Sequence, residues 1–177
     1  MNIFWSYAKL DNKEPSIKLT KLRLAFNISL DQASGFENRI MVDESDFEWG
    51  EDWKQEILRT ISKSDALIAL ISPSYFNSRM CIHELDVALR AEKKIFPIHY
   101  RKCPKGLVSR FKEEGSDENI RLNDVSAKIG SLQYKDFDKL RNKDLQSEDI
   151  QNFLDRMAEE IILFHGFARS NFGFYYK

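Results

Sequence analysis

The chain has 177 residues, of which 42% are hydrophobic and 31% are charged, and its formal net charge at pH 7 is −1. This composition is typical of a folded globular protein, and the neutral balance offers no basic surface for nucleic acid or an anionic membrane. The longest apolar run, Ala66–Ile71, is too short to cross a bilayer, and the first residues lack the basic start of a signal peptide, so we expect a cytoplasmic protein.

Short apolar runs alternate with helical periodicities along the first hundred residues. Four runs predict strands, at residues 3–7, 39–42, 66–71 and 95–100. Helices are expected between them, after Pro15, after Gly50 and over about 79–91. Strands that alternate with helices of this length predict a parallel sheet covered on both faces. Pro97 predicts irregular pairing within the fourth strand.

The second half of the chain gives weaker patterns. Residues 101–128 are rich in charge and predict a long loop with a short helix at most, and 129–134 are interpreted as a fifth strand. Apolar residues between 150 and 162 recur at helical spacing and predict a final amphipathic helix. We therefore assign one domain to residues 1–166 and leave 167–177 as an aromatic C-terminal tail of unknown role.

Three polar or aromatic segments follow the predicted strands and should meet at one edge of the sheet. They are Ser6-Tyr7, the acidic segment 43–50, and the segment 72–84. Ligands of parallel sheets bind beyond the carboxyl ends of the strands. The sequence therefore predicts a ligand cleft formed by these segments.

In their order and spacing these segments resemble the TIR (Toll/interleukin-1 receptor/resistance protein) domain family. The run Phe4-Trp5-Ser6-Tyr7-Ala8 is similar to the family's first box, and residues 42–54 resemble its BB loop and the helix after it. The most specific likeness runs from Ala66 through the Ser72-Pro73-Ser74-Tyr75 turn to Glu84. The resemblance implies a flavodoxin-like three-layer α/β fold, with a central parallel sheet of about five strands flanked by helices.

The resemblance also implies an activity, the cleavage of NAD+ at its nicotinamide–ribose bond. The products would be nicotinamide and ADP-ribose or a cyclic isomer, in innate immune signalling of a prokaryotic, antiphage kind. NAD+ would be the substrate, with no cofactor. The essential helix glutamate of enzymatic members matches Glu84, while Met80 stands where the family often has Trp. The residues expected to bind the substrate are Tyr7, Ala8, Asp43, Trp49, Ser74, Met80 and Cys81.

A single carboxylate suits this chemistry without any second acid. The nicotinamide of NAD+ leaves as a neutral molecule, and positive charge develops on the ribose, as in glycosidase reactions. One preorganised carboxylate near that ribose can stabilise the charge. Cys81 and Cys103 fit no zinc motif, and His99 and His165 have no companions at ligand spacing, so we expect no metal.

Several alternatives stay open at the level of sequence. Glu84 could be a solvated acid near a helix start, Ser74 could cap the next turn, and Tyr7 could belong to the core. The whole domain could be a non-catalytic TIR scaffold that acts by self-association. In either case the segment 43–50, with four acids and two aromatic residues, is expected to contact a second copy. A downstream effector could sense the product. A Mg²⁺-dependent phosphate receiver would need more acids at the first strand end than this chain has.

Overall fold

The computed structural model describes residues 1–13, 19–42, 52–104, 107, 111, 117–130 and 134–172. The side chains of residues 52, 53 and 167–172 lie outside that description. Within the described residues, five parallel strands form one sheet in the order β2-β1-β3-β4-β5. The strands are β1 (Asn2–Tyr7), β2 (Arg39–Met41), β3 (Ala66–Ile71), β4 (Lys94–His99) and β5 (Lys135–Asp136). This order is that of a flavodoxin-like fold, as expected.

Helices cover both faces of the sheet and complete the three layers. They are α1 (Leu19–Ser34), α2 (Asp52–Ser62), α3 (Pro73–Asn77), α4 (Arg79–Arg90), α5 (Asp117–Gly130) and α6 (Glu148–Phe172), with a short 3-10 helix at Lys9–Lys13. On one face, α1 and α6 pack against each other and the sheet. On the other face, α4 packs between α2 and α5.

The alternation of side chains along β1 gives each face its own core. Trp5 packs among the residues of α1 and α6, and its ring lies 5.8 Å from that of Phe26. Phe4 points to the other face, into the core formed by α2, α4 and α5. Ser6 points to that same face and is only 1% exposed, so a hydroxyl lies inside the sheet layer close to its carboxyl edge. Such a buried hydroxyl needs hydrogen-bond partners, which come from the site described below.

Two predictions for the second half of the chain were wrong. Residues 117–130 form α5, not a loop, because Leu122, Val125 and Ile129 recur at helical spacing and pack in the core beside α4. The fifth strand lies at Lys135–Asp136, not at 129–134, since Ile129 and Gly130 belong to α5. Because charged residues lie between the apolar ones, the segment is polar on average, and its overall hydrophobicity did not predict a helix.

Pro97 does not disturb the pairing of β3 with β4. The parallel register runs unbroken from Ala66 opposite Lys94 to Ile71 opposite His99, with Ala69 opposite Pro97. The prediction of irregular pairing there was therefore wrong.

The long final helix extends past the predicted domain. α6 ends at Phe172, so its backbone continues beyond residue 166. Among the helices of the described residues, none combines the length and the apolar composition that a membrane span requires.

Candidate active site

A cleft of about 510 Å³ opens at the carboxyl ends of β1 and β3. This volume lies within the usual range for a site that holds a small molecule. The cleft brings together six of the eight residues predicted from the sequence: Tyr7, Ala8, Ser74, Met80, Cys81 and Glu84. Its other lining residues are Trp5, Lys9, Leu10, Pro73, Asn77 and Ser78. The remaining predicted residues, Asp43 and Trp49, lie outside the described residues.

Two serines start the helices that form one wall of the cleft. The Ser72 side chain accepts a hydrogen bond from the Tyr75 backbone N–H at 3.0 Å and caps α3, where Pro73 occupies the first turn. Ser78 caps α4 by accepting from the Cys81 backbone N–H at 3.3 Å. Ser74 is therefore not a capping residue; it lies inside α3 and lines the cleft.

Glu84 is a buried residue of α4, with only 4% of its surface exposed. The Ser6 hydroxyl donates to its Oε2 atom at 2.5 Å. The first turn of α4 contains no acid, so Glu84 lies too far along the helix to serve the positive end of the helix dipole. The alternative that Glu84 is a solvated acid near a helix start was wrong, because its carboxylate is enclosed between α4 and β1.

Burial keeps two side chains near Glu84, the phenol of Tyr75 and the thiol of Cys81, in their neutral forms. It raises the pKa of Tyr75 well above its ordinary value, and the nearby Cys81 and Glu84 add to the effect. Burial and the charge of Glu84 likewise raise the pKa of the Cys81 thiol. A thiol that stays protonated is a poor nucleophile, so Cys81 serves this wall as a small apolar side chain.

A second buried carboxylate, Asp11, fixes the opposite wall of the cleft. Asp11 is 3% exposed and accepts a hydrogen bond from the Ser72 hydroxyl at 2.5 Å. The Arg101 Nε atom lies 3.7 Å from its other oxygen. The hydrogen bond between Asp11 and Ser72 joins the 3-10 helix, which carries Lys9 and Leu10, to the start of α3. Sequence reasoning missed Asp11, because an acid between lysines after a strand is typical of a solvated turn.

Metal ligation has no support in the described part of the chain. There, no three side chains of His, Cys, Asp or Glu are grouped closely enough to hold an ion. The chemistry available at the cleft is that of the oriented carboxylate, the hydroxyl groups around it and the thioether of Met80.

The fold and the order of these segments agree with a comparison with known families. A family model described as the TIR domain matches residues 25–157. The chain belongs to the TIR domain family. The matched part includes all of α3 and α4 and hence Glu84, whereas β1 with Ser6 precedes it.

A solved structure has the same fold, and a second one is similar in part. The TIR domains of the activated Roq1 resistosome, which directly recognises the pathogen effector XopQ, match with a TM-score of 0.60 and 19% identity, over 88% of this chain and 98% of that one. The TIR domain of the Toll-related receptor TRR-2 from Hydra magnipapillata matches with a TM-score of 0.47 and 18% identity, over 86% of this chain and 96% of that one. No curated protein matches the sequence.

Proposed function

We propose that this TIR domain cleaves NAD+ between nicotinamide and ribose, with Glu84 as its catalytic residue. The observation that carries the proposal is the buried carboxylate of Glu84, held by the Ser6 hydroxyl at 2.5 Å in a cleft of about 510 Å³. A carboxylate that is both enclosed and oriented interacts strongly with charge that develops beside it. The prokaryotic, NAD-cleaving kind of TIR domain is therefore the subtype we propose.

The proposed reaction needs one negative charge and no general acid. When the nicotinamide–ribose bond breaks, the bonding electrons go to the pyridinium nitrogen and nicotinamide leaves neutral. The ribose then carries positive charge, which Glu84 stabilises from the cleft. Attack by water on the ribose gives ADP-ribose and releases a proton. Attack by an atom of the same nucleotide gives a cyclic isomer instead.

The other lining residues would hold the substrate. Tyr7 ends the first strand and Ala8 follows it, and both border the cleft. Ser74 and Cys81 line the wall formed by α3 and α4. Met80 lies one helical turn before Glu84 and lines the same cleft, where its thioether would pad the nicotinamide ring less well than a flat side chain. Asp43 and Trp49 are proposed to complete the substrate site.

Incubation of the protein with NAD+ at high protein concentration tests the proposal. We expect release of nicotinamide together with ADP-ribose or a cyclic isomer. Mass spectrometry identifies nicotinamide and the second product. The Glu84→Gln variant should release nicotinamide on the order of a hundredfold more slowly, the usual cost of removing one key electrostatic group. A folded wild-type protein that releases no nicotinamide under any condition would contradict the proposal.

The second candidate is a scaffold that signals through self-association without cleaving NAD+. Met80 favours it, because the family often has a flat aromatic ring at that position. In both candidates we propose that the acidic segment 43–50 contacts a second copy, and that a downstream partner responds to the assembly or the product. The domain would act in cytoplasmic innate immune signalling.

Dilution separates an assembly-dependent enzyme from a competent monomer. If the segment 43–50 completes the cleft of a neighbour, nicotinamide release per molecule should rise with protein concentration, and Trp49→Ala should lower both self-association and activity. Phe36→Ala is the matched control, because Phe36 is an aromatic residue that is 79% exposed at another place on the surface. Constant activity per molecule across a thousandfold dilution, with Trp49→Ala behaving as wild type, would contradict the assembly step.

A further inference from the structure

Three buried side chains from three different elements form a continuous hydrogen-bonded chain that ends on the candidate catalytic carboxylate. The Tyr75 hydroxyl of α3 lies 2.7 Å from the Ser6 hydroxyl of β1, and Ser6 lies 2.5 Å from Glu84 of α4. We infer that Ser6 and Tyr75 are positioning residues, which form a hydroxyl relay that holds Glu84 as an ionised and oriented carboxylate. The inference rests on the proposed function and extends it to two residues that never need to touch the substrate.

Counting protons gives the relay its direction. Serine has one hydroxyl proton, and an ionised carboxylate can only accept. When Ser6 gives its proton to the bond with Glu84, Tyr75 must donate to the Ser6 oxygen. The donors then run from Tyr75 to Ser6 to Glu84.

The opposite direction fits the geometry less well. If Glu84 carried a proton on its Oε2 atom, it would donate to Ser6, and Ser6 would donate to Tyr75. The Tyr75 proton would then have only the Cys81 carbonyl oxygen among its contacts here, at 3.5 Å. That distance lies at the outer limit of a hydrogen bond and contributes little. The arrangement of the three side chains therefore favours an Oε2 atom that carries no proton and accepts from Ser6.

Tyr75 is suited to be the first donor of the relay. Its side chain is fully buried, and burial raises its pKa well above the ordinary value, so it keeps its proton at any physiological pH. It is also anchored, since its backbone N–H donates to Ser72 at the cap of α3. A rigid donor in a water-excluded place orients a carboxylate without lending it a counter-charge, and a full positive charge would cancel the field that the reaction uses.

Removal of single hydroxyl groups tests the relay. We expect Tyr75→Phe to lower kcat about tenfold and Ser6→Ala about tenfold to a hundredfold, as for the loss of one hydrogen bond in a chain to a charged group. The KM for NAD+ should change less than about twofold in both variants, because neither hydroxyl is placed against the substrate. Ser6→Thr, which keeps the hydroxyl, should recover much of the loss in Ser6→Ala.

Two buried hydroxyl groups elsewhere supply the controls. Tyr100→Phe removes a fully buried tyrosine hydroxyl on the other face of the sheet, and Ser29→Ala removes a buried serine hydroxyl of α1. Both should leave kcat and KM unchanged, even where they lower the melting temperature. A fall in kcat that follows melting temperature across all four variants would mean that Ser6 and Tyr75 act only through stability, and would overturn the relay.

The outcomes separate the relay from the proposed function. Wild-type kcat in folded Tyr75→Phe and Ser6→Ala, with Glu84→Gln inactive, would overturn the relay and leave the enzyme intact. If the wild type itself releases no nicotinamide, the proposed function fails. Carbon-13 NMR of the glutamate carboxyl groups then tests the relay alone, with the Glu84 signal assigned from its loss in Glu84→Gln. We expect a carboxylate signal at pH 7 that shifts in Tyr75→Phe, and an unshifted signal would overturn the relay.

Discussion

Helix α4 carries two buried acids, and the contacts described here give them different partners. Glu84 is 4% exposed and Asp86 is 2% exposed, so burial does not distinguish them. Asp86 forms ion pairs with Arg90 and Arg121, each at 3.1 Å. Glu84 instead accepts a hydrogen bond from the Ser6 hydroxyl at the cleft. The two acids therefore differ in these partners and not in their depth, and the difference supports the proposed role of Glu84.

The two acids serve different faces of the same helix. Residues two positions apart in a helix project about 200° from each other. Asp86 thus points toward α5, where its contact with Arg121 joins two helices, and its charge is neutralised by guanidinium groups. A hydroxyl orients a carboxylate while leaving its charge effective, as stabilisation of a developing cation requires.

The largest expected effect is on turnover, and it should fall on one acid only. Glu84→Gln should lower nicotinamide release by about a hundredfold, since the amide keeps the shape but not the charge. Asp86→Asn makes the same chemical change two residues away and should leave kcat within about twofold, measured on folded protein. Equal losses in the two variants would break the contrast and point to a general effect on α4.

Stability should show the reverse order. Asp86→Asn should lower the free energy of unfolding by about 1–3 kcal/mol, because it removes the shared acceptor of two arginines. The larger penalty for an unpaired buried charge does not apply, since Arg90 and Arg121 are about half exposed and can be hydrated. Glu84→Gln should cost less than about 1 kcal/mol, because its amide oxygen can still accept from Ser6. Urea denaturation of both variants measures the difference, and a larger loss in Glu84→Gln would reverse the interpretation.

Met80 offers a way to sharpen the contrast on the side of the cleft. Met80→Trp should lower the KM for NAD+ by about twofold to tenfold, the usual gain from one aromatic stacking contact. The fold should tolerate it, because Met80 is only partly buried and lines the open cleft. Ile82→Trp on the same helix is the contrasting variant, since Ile82 is fully buried and overpacking costs about 1–3 kcal/mol. A large drop in the melting temperature of Met80→Trp, without tighter binding, would show that Met80 belongs to the core.

The smallest expected effect is on stability, at the ion pairs of Glu118. Glu118 of α5 contacts Lys54 of α2 at 2.9 Å and Arg79 of α4 at 3.1 Å. The hydrogen bond from Lys54 and the two positive charges lower the pKa of Glu118. Glu118→Gln should cost about 0.5 kcal/mol near neutral pH, the usual size for exposed ion pairs, and should leave kcat unchanged.

The pH dependence of that loss has a definite sign. A lowered folded-state pKa gives stability that is fully present above the ordinary glutamate pKa and is lost as the pH falls through the lowered value. The gap in unfolding free energy between wild type and Glu118→Gln should therefore close in acid and shrink in high salt. A gap that stays constant at low pH would contradict the ionic origin.

The first half of the fold could be predicted because its signals are local. The uniformly apolar run of β3 and the apolar stripe of α4 each identify their element without help from distant residues. The second half could not be predicted in the same way. In α5 the apolar residues are sparse, and β5 has only two residues, so its place depends on the neighbouring β4 strand.

The candidate site also has a part that local sequence signals predict and a part that depends on distant residues. Tyr7, Ser74, Met80 and Glu84 follow predicted strands, and the structure brings them to one cleft. The contacts that give these residues their surroundings join parts of the chain 61 to 78 residues apart. No pattern within a segment predicts that Asp11 meets Ser72 or that Ser6 meets Glu84, because these pairs form only when the strands are aligned in the sheet.

The shortness of β5 has a consequence for the protein in concentrated solution. Among the described residues, β5 pairs only with Ile98 and His99, so residues 94–97 of β4 have a strand neighbour on one side alone. An open strand edge invites strands of other molecules and thereby aggregation. Pro97 has no backbone N–H to donate to such a strand. A strand added at this edge would also have to bury the ammonium group of Lys94, which lies 5.5 Å from the Phe164 ring. The proline in β4 thus helps to keep separate molecules from joining sheet to sheet.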